Sequence, residues 1–143
     1  GRAAKRMSEL TGQEAQTIHR MLGMTWNEAT HEVTFTKGES EPLEADAVIV
    51  DEMSMVDLSL FAALLRALRP GTRLVLVGDA DQLPSVGAGN VLSDILESGA
   101  VPSVRLTDIF RQDESSMIVL NAHRINHGEM PLLNEKGTDF FFE

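Results

Sequence analysis

Two adjacent carboxylates, Asp51 and Glu52, follow directly after the apolar run Ala47–Val50. Like charges side by side at the partly buried end of a strand are costly unless something offsets them, and a divalent cation is a common solution. A strand that ends in such a pair is typical of a Walker B arrangement, in which the first acid helps to hold Mg²⁺ and the second activates or orients water. The alternative is a helix-entry turn with two solvated acids. The apolar run before the pair favours nucleotide chemistry.

A loop of twelve residues begins at Gly78, ends at Gly89 and also follows an apolar run. Its glycines allow the backbone to approach a ligand closely, and the amide of Gln82 offers a donor and an acceptor to a phosphate oxygen or an attacking water. The alternative is a Gly-Pro loop without a function. Long loops inside compact domains are often functional, which favours a role in the same chemistry.

Arg111 lies in the segment 109–112, after a third predicted strand. A planar guanidinium is suited to stabilising phosphoryl charge, and the alternative is a surface arginine at the start of a helix.

His123 and His127 are four residues apart on a predicted helix, but Arg124 stands where a zincin motif needs glutamate. We therefore expect no zinc site there.

The elements that must position these loops form a strand–helix–strand unit. Strands are predicted over 47–50 and 73–77, with both faces buried, because each is an almost continuous apolar run. The helix between them is predicted over 57–68, capped by Asp57. Because ligands bind outside the carboxyl ends of parallel strands, the loops that follow the strands are expected to share one crevice.

The remaining elements complete an α/β fold with a mainly parallel sheet flanked by helices. Apolar residues at helical spacing identify the helices, and short alternating or apolar runs identify the strands. The further predicted helices cover 3–10, 14–22, 88–97 and 114–126, and the further strands cover 33–36 and 104–106.

Composition places the chain among globular proteins. It has 143 residues, of which 43% are hydrophobic, and this length is typical of one domain. The absence of cysteine excludes a disulfide framework and Cys-ligated metal sites, and it fits a reducing compartment, so we expect a cytoplasmic location. No apolar run approaches the length of about 20 residues that spans a bilayer, so no membrane association is expected.

The formal net charge of -10 argues against a surface that is generally suited to binding phosphates. The bases are unevenly distributed, however, and residues 1–20 carry Arg2, Lys5, Arg6 and Arg20 against two acids. Contact with a polyanion is therefore expected to be local and N-terminal. An ordinary solvated helix is the alternative interpretation.

Taken together, these segments resemble the first motor domain of superfamily 1 DNA helicases, and most closely the RecD-like branch, the relatives of the exodeoxyribonuclease V alpha subunit. The resemblance rests on residues 1–6, 17–20, 48–54, 78–89 and 109–112, in that order along the chain. It implies a RecA-like P-loop NTPase fold, with residues 1–143 as part of one motor domain from motif Ia to motif IV. It also implies an ATP-dependent helicase that moves 5′ to 3′ on single-stranded DNA in recombination or repair.

The resemblance also implies a role for each matching residue. Asp51 is expected to hold Mg²⁺, and Glu52 to act as the catalytic base for water. Gln82 is expected to sense the γ-phosphate of ATP, and Arg111 to contact that phosphate as charge develops. Gly78 and Asp79 are expected to lie at the nucleotide. The residues expected to contact DNA are Gly1, Arg2, Lys5, Arg6, Thr17 and His19.

One departure from the family pattern matters for activity. No glycine in the chain is followed five residues later by Gly-Lys-Ser or Gly-Lys-Thr, so the phosphate-cradling Walker A loop is absent. We therefore expect a fragment, truncated at the N-terminal strand and phosphate loop, that does not turn over ATP by itself. Such a fragment exposes an apolar face, which predicts self-association or marginal stability.

Two other functions are compatible with the same motifs. One is the helicase portion of a conjugative relaxase, and the other is a non-catalytic DNA-binding module that has kept the motor fold. Helicase–nuclease subunits are possible partners of the parent protein, and the oligomeric state is left open by the sequence.

Overall fold

The N-terminal part of the chain forms two helices of unequal length. The computed structural model describes residues 2–106 and 116–133, which belong to two compact units, Gly1–Val101 and Pro102–Glu143. In the first unit, helix α1 spans Arg2–Thr11 and helix α2 spans Ile18–Met21. The helix predicted over 14–22 is wrong in its first half. Thr17 has extended backbone angles, and its side chain accepts a hydrogen bond from Arg20 N, so it caps α2 instead of continuing a longer helix.

A two-stranded antiparallel hairpin follows. Strand β1 (Met24–Asn27) pairs with strand β2 (Glu32–Phe35), with Trp26 opposite Val33. The Asn27 side chain accepts hydrogen bonds from two backbone N–H groups of the turn and so shapes the reversal. The strand predicted over 33–36 is therefore confirmed, with both of its ends one residue earlier.

The predicted strand–helix–strand unit is present. Strand β3 (Ala47–Val50) pairs in parallel with strand β4 (Arg73–Leu76), and helix α3 (Leu58–Ala67) connects them. Asp57 caps α3 because its side chain accepts a hydrogen bond from Leu60 N at 2.8 Å. A bond from Val77 N to Val50 O at 2.8 Å continues the strand pairing to the carboxyl edge of the sheet.

Only one face of this parallel pair is buried. Val48 and Val50 are buried, whereas Ile49 is 64% exposed, because successive side chains of a strand point to opposite faces. The prediction that both faces of β3 and β4 are buried is therefore wrong for the described residues. Ile49, Val75 and Val77 form an exposed apolar face. Self-association through this face stays a prediction.

The hydrophobic core of the first unit lies between the parallel strands and the helices. Helix α4 (Val91–Ser98) contributes two buried residues and ends at Gly99, which has a positive φ. A turn of 3₁₀-helix over Met53–Met55 contributes a third segment of the core. The buried apolar residues are Leu22, Leu43, Val48, Val50, Met53, Val56, Leu60, Ala63, Leu64, Ala67, Val91 and Leu92.

The second unit contains helix α5 (Met117–Asn126), capped by Ser116. Asn121 is fully buried, and its amide exchanges two hydrogen bonds with the backbone of Leu132, which fastens the following segment to the helix. The strand predicted over 104–106 is wrong. That segment has no strand structure and its apolar side chains are about 90% exposed, because so short a run is not stable without a neighbouring strand.

None of the helices in the described ranges has the length and apolar character needed to cross a bilayer.

Candidate active site

The acid pair lies in a strained turn at the carboxyl end of β3. Glu52 has φ 58° and ψ 43°, the left-handed region that non-glycine residues rarely adopt. Asp51 Oδ1 accepts a hydrogen bond from Glu52 N at 2.8 Å, which leaves the other carboxylate oxygen of Asp51 outside this turn bond. The left-handed conformation costs roughly 1–2 kcal/mol for a residue with a Cβ. Local strain of this kind is typical of functional sites.

The 3₁₀ turn over Met53–Met55 holds the strained residue Glu52 in place. Met53 is completely buried, and Met55 N donates to Glu52 O at 3.0 Å. The hydroxyl of Ser54 is buried without a hydrogen-bond partner in the part of the chain that the structure describes. A buried hydroxyl in that state costs about 1–3 kcal/mol, so the turn carries a second local cost beside the strain at Glu52.

Both acidic side chains are exposed, whereas the sequence predicted a partly buried pair. Their mutual repulsion is reduced by water, so the demand for a neutralising cation is weaker than expected. Exposure also leaves both carboxylates accessible to a ligand. A metal role for Asp51 therefore rests on its oxygen chemistry and its position, and burial does not contribute to it.

The loop after β4 is packed directly against this turn. A bond from Met53 N to Val77 O at 3.0 Å joins the two strand ends. A Cβ added to Gly78 would lie 3.0 Å from Met53 N and 2.9 Å from a methyl carbon of Leu92, which only glycine avoids. The structure thus packs Gly78 against Met53, the residue that follows the acid pair, and a shared crevice for the loops stays a prediction.

Gln82 is held by Asp79. Gln82 Nε2 donates to Asp79 Oδ2 at 3.4 Å, and Gln82 N donates to Asp79 O at 3.3 Å. Both side chains are exposed. Asp79 is therefore a hydrogen-bond partner of Gln82 that the residue types alone did not indicate.

The far end of the same loop is fixed to the start of α3. Leu58 N donates to Ala88 O at 3.0 Å, and a Cβ on Gly87 would overlap the side chain of Asp57. Leu83 and Val86, between the two anchored ends, are fully or almost fully exposed. The loop is consequently fastened at both ends and open in the middle.

A groove beside α1 contains two of the predicted DNA contacts. It has a volume of about 230 Å³ and is lined by Ala4, Lys5, Ala15, Gln16, Thr17 and Arg20. A bond from Ala15 N to Ser8 Oγ at 2.8 Å holds its two walls together. Lys5 and Thr17 therefore lie together, and Gln16 is a polar lining residue that sequence reasoning missed. Little in the sequence indicates a role for Gln16, because a lone glutamine next to a helix cap has no characteristic spacing.

The other predicted DNA contacts differ in how the structure places them. Arg2 and Arg6 are exposed on α1, and the rings of His19 and Phe35 lie 6.3 Å apart. Gly1 and Arg111 lie outside the described residues. The rings of His123 and His127 stack 6.5 Å apart, and His127 Nδ1 lies 2.8 Å from the carbonyl oxygen of His123.

The oxygen donors fit a magnesium ion that arrives with a nucleotide. Mg²⁺ in nucleotide sites takes one or two protein carboxylates and completes its octahedron with phosphate oxygens and waters. Within residues 2–106 and 116–133, no cluster of three or more acidic or histidine side chains is suited to holding a metal by itself. Asp51, exposed at the carboxyl end of β3, is a carboxylate of the kind that such a shared site uses.

The class of protein follows from comparison with known families. The chain matches the AAA domain family over residues 1–139, and it belongs to that family. The prediction of an α/β fold of the P-loop NTPase class is thereby confirmed.

Individual relatives narrow the class further. The chain is similar to the ATP-dependent RecD2 DNA helicase of Deinococcus radiodurans, with 41% identity over 136 residues, which cover 95% of the chain and 18% of the relative. It is 50% identical to the RecBCD enzyme subunit RecD of Mycolicibacterium smegmatis over 88 residues, 62% of the chain and 15% of that protein. It is also 35% identical to DNA helicase B of Mus musculus over 89 residues, 59% of the chain and 8% of that protein.

The RecD-like resemblance found in the motifs is thus confirmed. The chain spans less than a fifth of the length of these relatives.

Proposed function

We propose that the full-length protein containing this chain is an ATP-dependent DNA helicase of the RecD type, and that residues 1–143 form part of its first motor domain. The observation that carries the proposal is the junction of the Asp51-Glu52 turn with the Gly78 loop at one edge of the parallel strands. Relatives named as RecD2 DNA helicase and as RecBCD subunit RecD support the same activity. Movement from 5′ to 3′ on single-stranded DNA, in recombination or repair, is the finer part of the proposal.

The proposed mechanism assigns one task to each of the residues that match the family motifs. Asp51 would hold Mg²⁺ through its accessible carboxylate oxygen, and the ion would supply charge neutralisation for the nucleotide phosphates. The Glu52 carboxylate accepts a proton from the attacking water. Gln82 orients that water or contacts the γ-phosphate, and Gly78 lets the backbone come close to the nucleotide. The family resemblance assigns Arg111 a contact with the γ-phosphate as charge develops.

DNA is proposed to bind along the N-terminal segment, through its phosphates. Lys5 and Arg20 line the groove beside α1, and Arg2 and Arg6 are exposed on the same helix. The ion pair of Lys5 with Glu9, at 3.9 Å between exposed side chains, is too weak to prevent a phosphate contact. Helicase–nuclease subunits are proposed as partners by analogy with the RecD subunits.

The proposed function predicts ATP hydrolysis that depends on Mg²⁺ and is stimulated by single-stranded DNA. The measurement is steady-state turnover of the full-length protein with and without an oligonucleotide, beside the 143-residue chain alone. The chain alone is expected to be inactive because residues 1–143 contain no Walker A sequence. A well-folded full-length protein without turnover would instead support a non-catalytic DNA-binding module.

A charge-removal variant tests the DNA surface. Replacing Arg2, Lys5 and Arg6 by alanine in the full-length protein is expected to weaken single-stranded DNA binding and to reduce its salt dependence. Each lost phosphate contact lowers the slope of log K against log salt by about 0.7, so three contacts correspond to a change of about 2. Fluorescence anisotropy with oligo-dT at several salt concentrations measures both quantities.

The charge-matched control replaces Arg66, Arg69 and Arg73 by alanine. Arg66 lies on α3, Arg69 follows α3 and Arg73 lies on β4, so all three are outside the N-terminal segment that is proposed to bind DNA. Equal losses of affinity and slope in the two triple variants would contradict the proposed surface.

A further inference from the structure

The loop after β4 is folded around one carboxylate. Three hydrogen bonds converge on Asp79: Asp81 N donates to Oδ1 at 3.0 Å, Gln82 Nε2 donates to Oδ2 at 3.4 Å, and Gln82 N donates to the backbone oxygen at 3.3 Å. Oδ1 of Asp79 therefore holds the loop backbone at Asp81, and Oδ2 contacts the Gln82 side chain.

The carboxylate determines which end of the Gln82 amide faces outward. A glutamine amide has a donor end and an acceptor end, and rotation by half a turn exchanges them. An ionised carboxylate only accepts hydrogen bonds, so the NH₂ end must face Asp79. Gln82 Oε1 is then directed away from Asp79.

The backbone position of Asp79 is fixed independently of this contact. Asp79 follows Gly78, which has no room for a Cβ between Met53 and Leu92. Met53 in turn begins the 3₁₀ turn that carries Glu52 at its start. The backbone of Asp79 therefore follows directly from a glycine that packs against the turn after the proposed catalytic base.

We propose that Asp79 is a positioning residue that fixes the orientation of the Gln82 amide relative to Glu52. The inference rests on the proposed function, and it assigns Asp79 a role other than the nucleotide contact implied by the family resemblance. Asp79 acts through Gln82 and does not itself touch the reacting atoms.

The test is a double-mutant cycle in the full-length protein with Asp79→Asn, Gln82→Ala and the pair. Asparagine keeps an acceptor for Asp81 N, but its amide also donates, so the Gln82 amide is no longer held in one orientation. We expect Asp79→Asn to lower kcat of DNA-stimulated ATP hydrolysis about 10- to 100-fold, with a much smaller change in KM for ATP. In the Gln82→Ala background the same substitution is expected to have no further effect.

Two further variants separate positioning from stability. Asp79→Ser keeps an acceptor for the loop but has no second oxygen for Gln82, and it is expected to reproduce the loss of kcat with a near wild-type Tm. Asp46→Asn makes the same acid-to-amide change at the opposite end of β3 and is expected to leave turnover unchanged.

The outcomes distinguish the inference from the function on which it rests. If the wild type shows DNA-stimulated turnover and Asp79→Asn matches it, the positioning role is overturned and the helicase proposal stands. The positioning role is also overturned, and the helicase proposal stands, if Asp79→Asn lowers kcat equally with and without the Gln82 side chain. That result indicates a general structural effect. No turnover in the wild type would overturn both.

Discussion

Replacing Glu52 by glutamine in the full-length protein is expected to reduce DNA-stimulated ATP hydrolysis by about 10²- to 10⁴-fold, the usual contribution of a general base. Glutamine has the same shape but does not accept a proton from water. It places a side chain of equal size on the same left-handed backbone, so the turn is expected to keep its structure. ATP binding, measured with a fluorescent nucleotide analogue, is expected to change little.

The control for this prediction is Glu97→Gln, which makes the same change at an exposed position of α4. It is expected to retain wild-type turnover. If Glu52→Gln also retained turnover, Glu52 would not be the base and the proposed mechanism would have to be abandoned.

The second large effect is expected from Gly78→Ala, which should destabilise the 143-residue chain by about 1–3 kcal/mol or more. The added methyl would lie 3.0 Å from Met53 N and 3.0 Å from Met53 Cβ. Met53 N is held by its bond to Val77 O, so the methyl can be accommodated only if the junction between the two strand ends opens. Urea unfolding followed by circular dichroism measures the loss.

Gly38→Ala is the matched control. A Cβ at Gly38 has no neighbour within 4 Å, and its φ is not positive, so alanine is expected to be neutral or stabilising by about 0.4–1 kcal/mol. Similar unfolding midpoints for the two variants would show that the junction at Gly78 tolerates a side chain.

The strand–helix–strand unit was predictable because its signals are local and agree with one another. A continuous apolar run, the Asp57 cap and the helical spacing of leucines all indicate the same elements. Strand β1 was missed although its four residues alternate between apolar and polar, because so short a run has meaning only beside its partner β2. The first half of the helix predicted over 14–22 is wrong because Thr17 caps the helix and its first helical residue is Ile18.

The site was predictable in residue type but not in geometry. Asp51, Glu52 and Gln82 stand out because of their order and their place after apolar runs. The exposure of the acids, the left-handed turn at Glu52 and the bond between Asp79 and Gln82 depend on how the strand ends pack. No spacing rule contains those distances, and they determine what each side chain can contact.

The left-handed backbone at Glu52 has a consequence for attempts to improve this protein. Glycine or asparagine relieves the strain at that position, and either residue removes the carboxylate. A screen that rewards heat resistance alone would therefore favour variants that lack the carboxylate at position 52, the proposed catalytic base. Thermal selection of the full-length protein needs a parallel assay of turnover, or position 52 must be held constant.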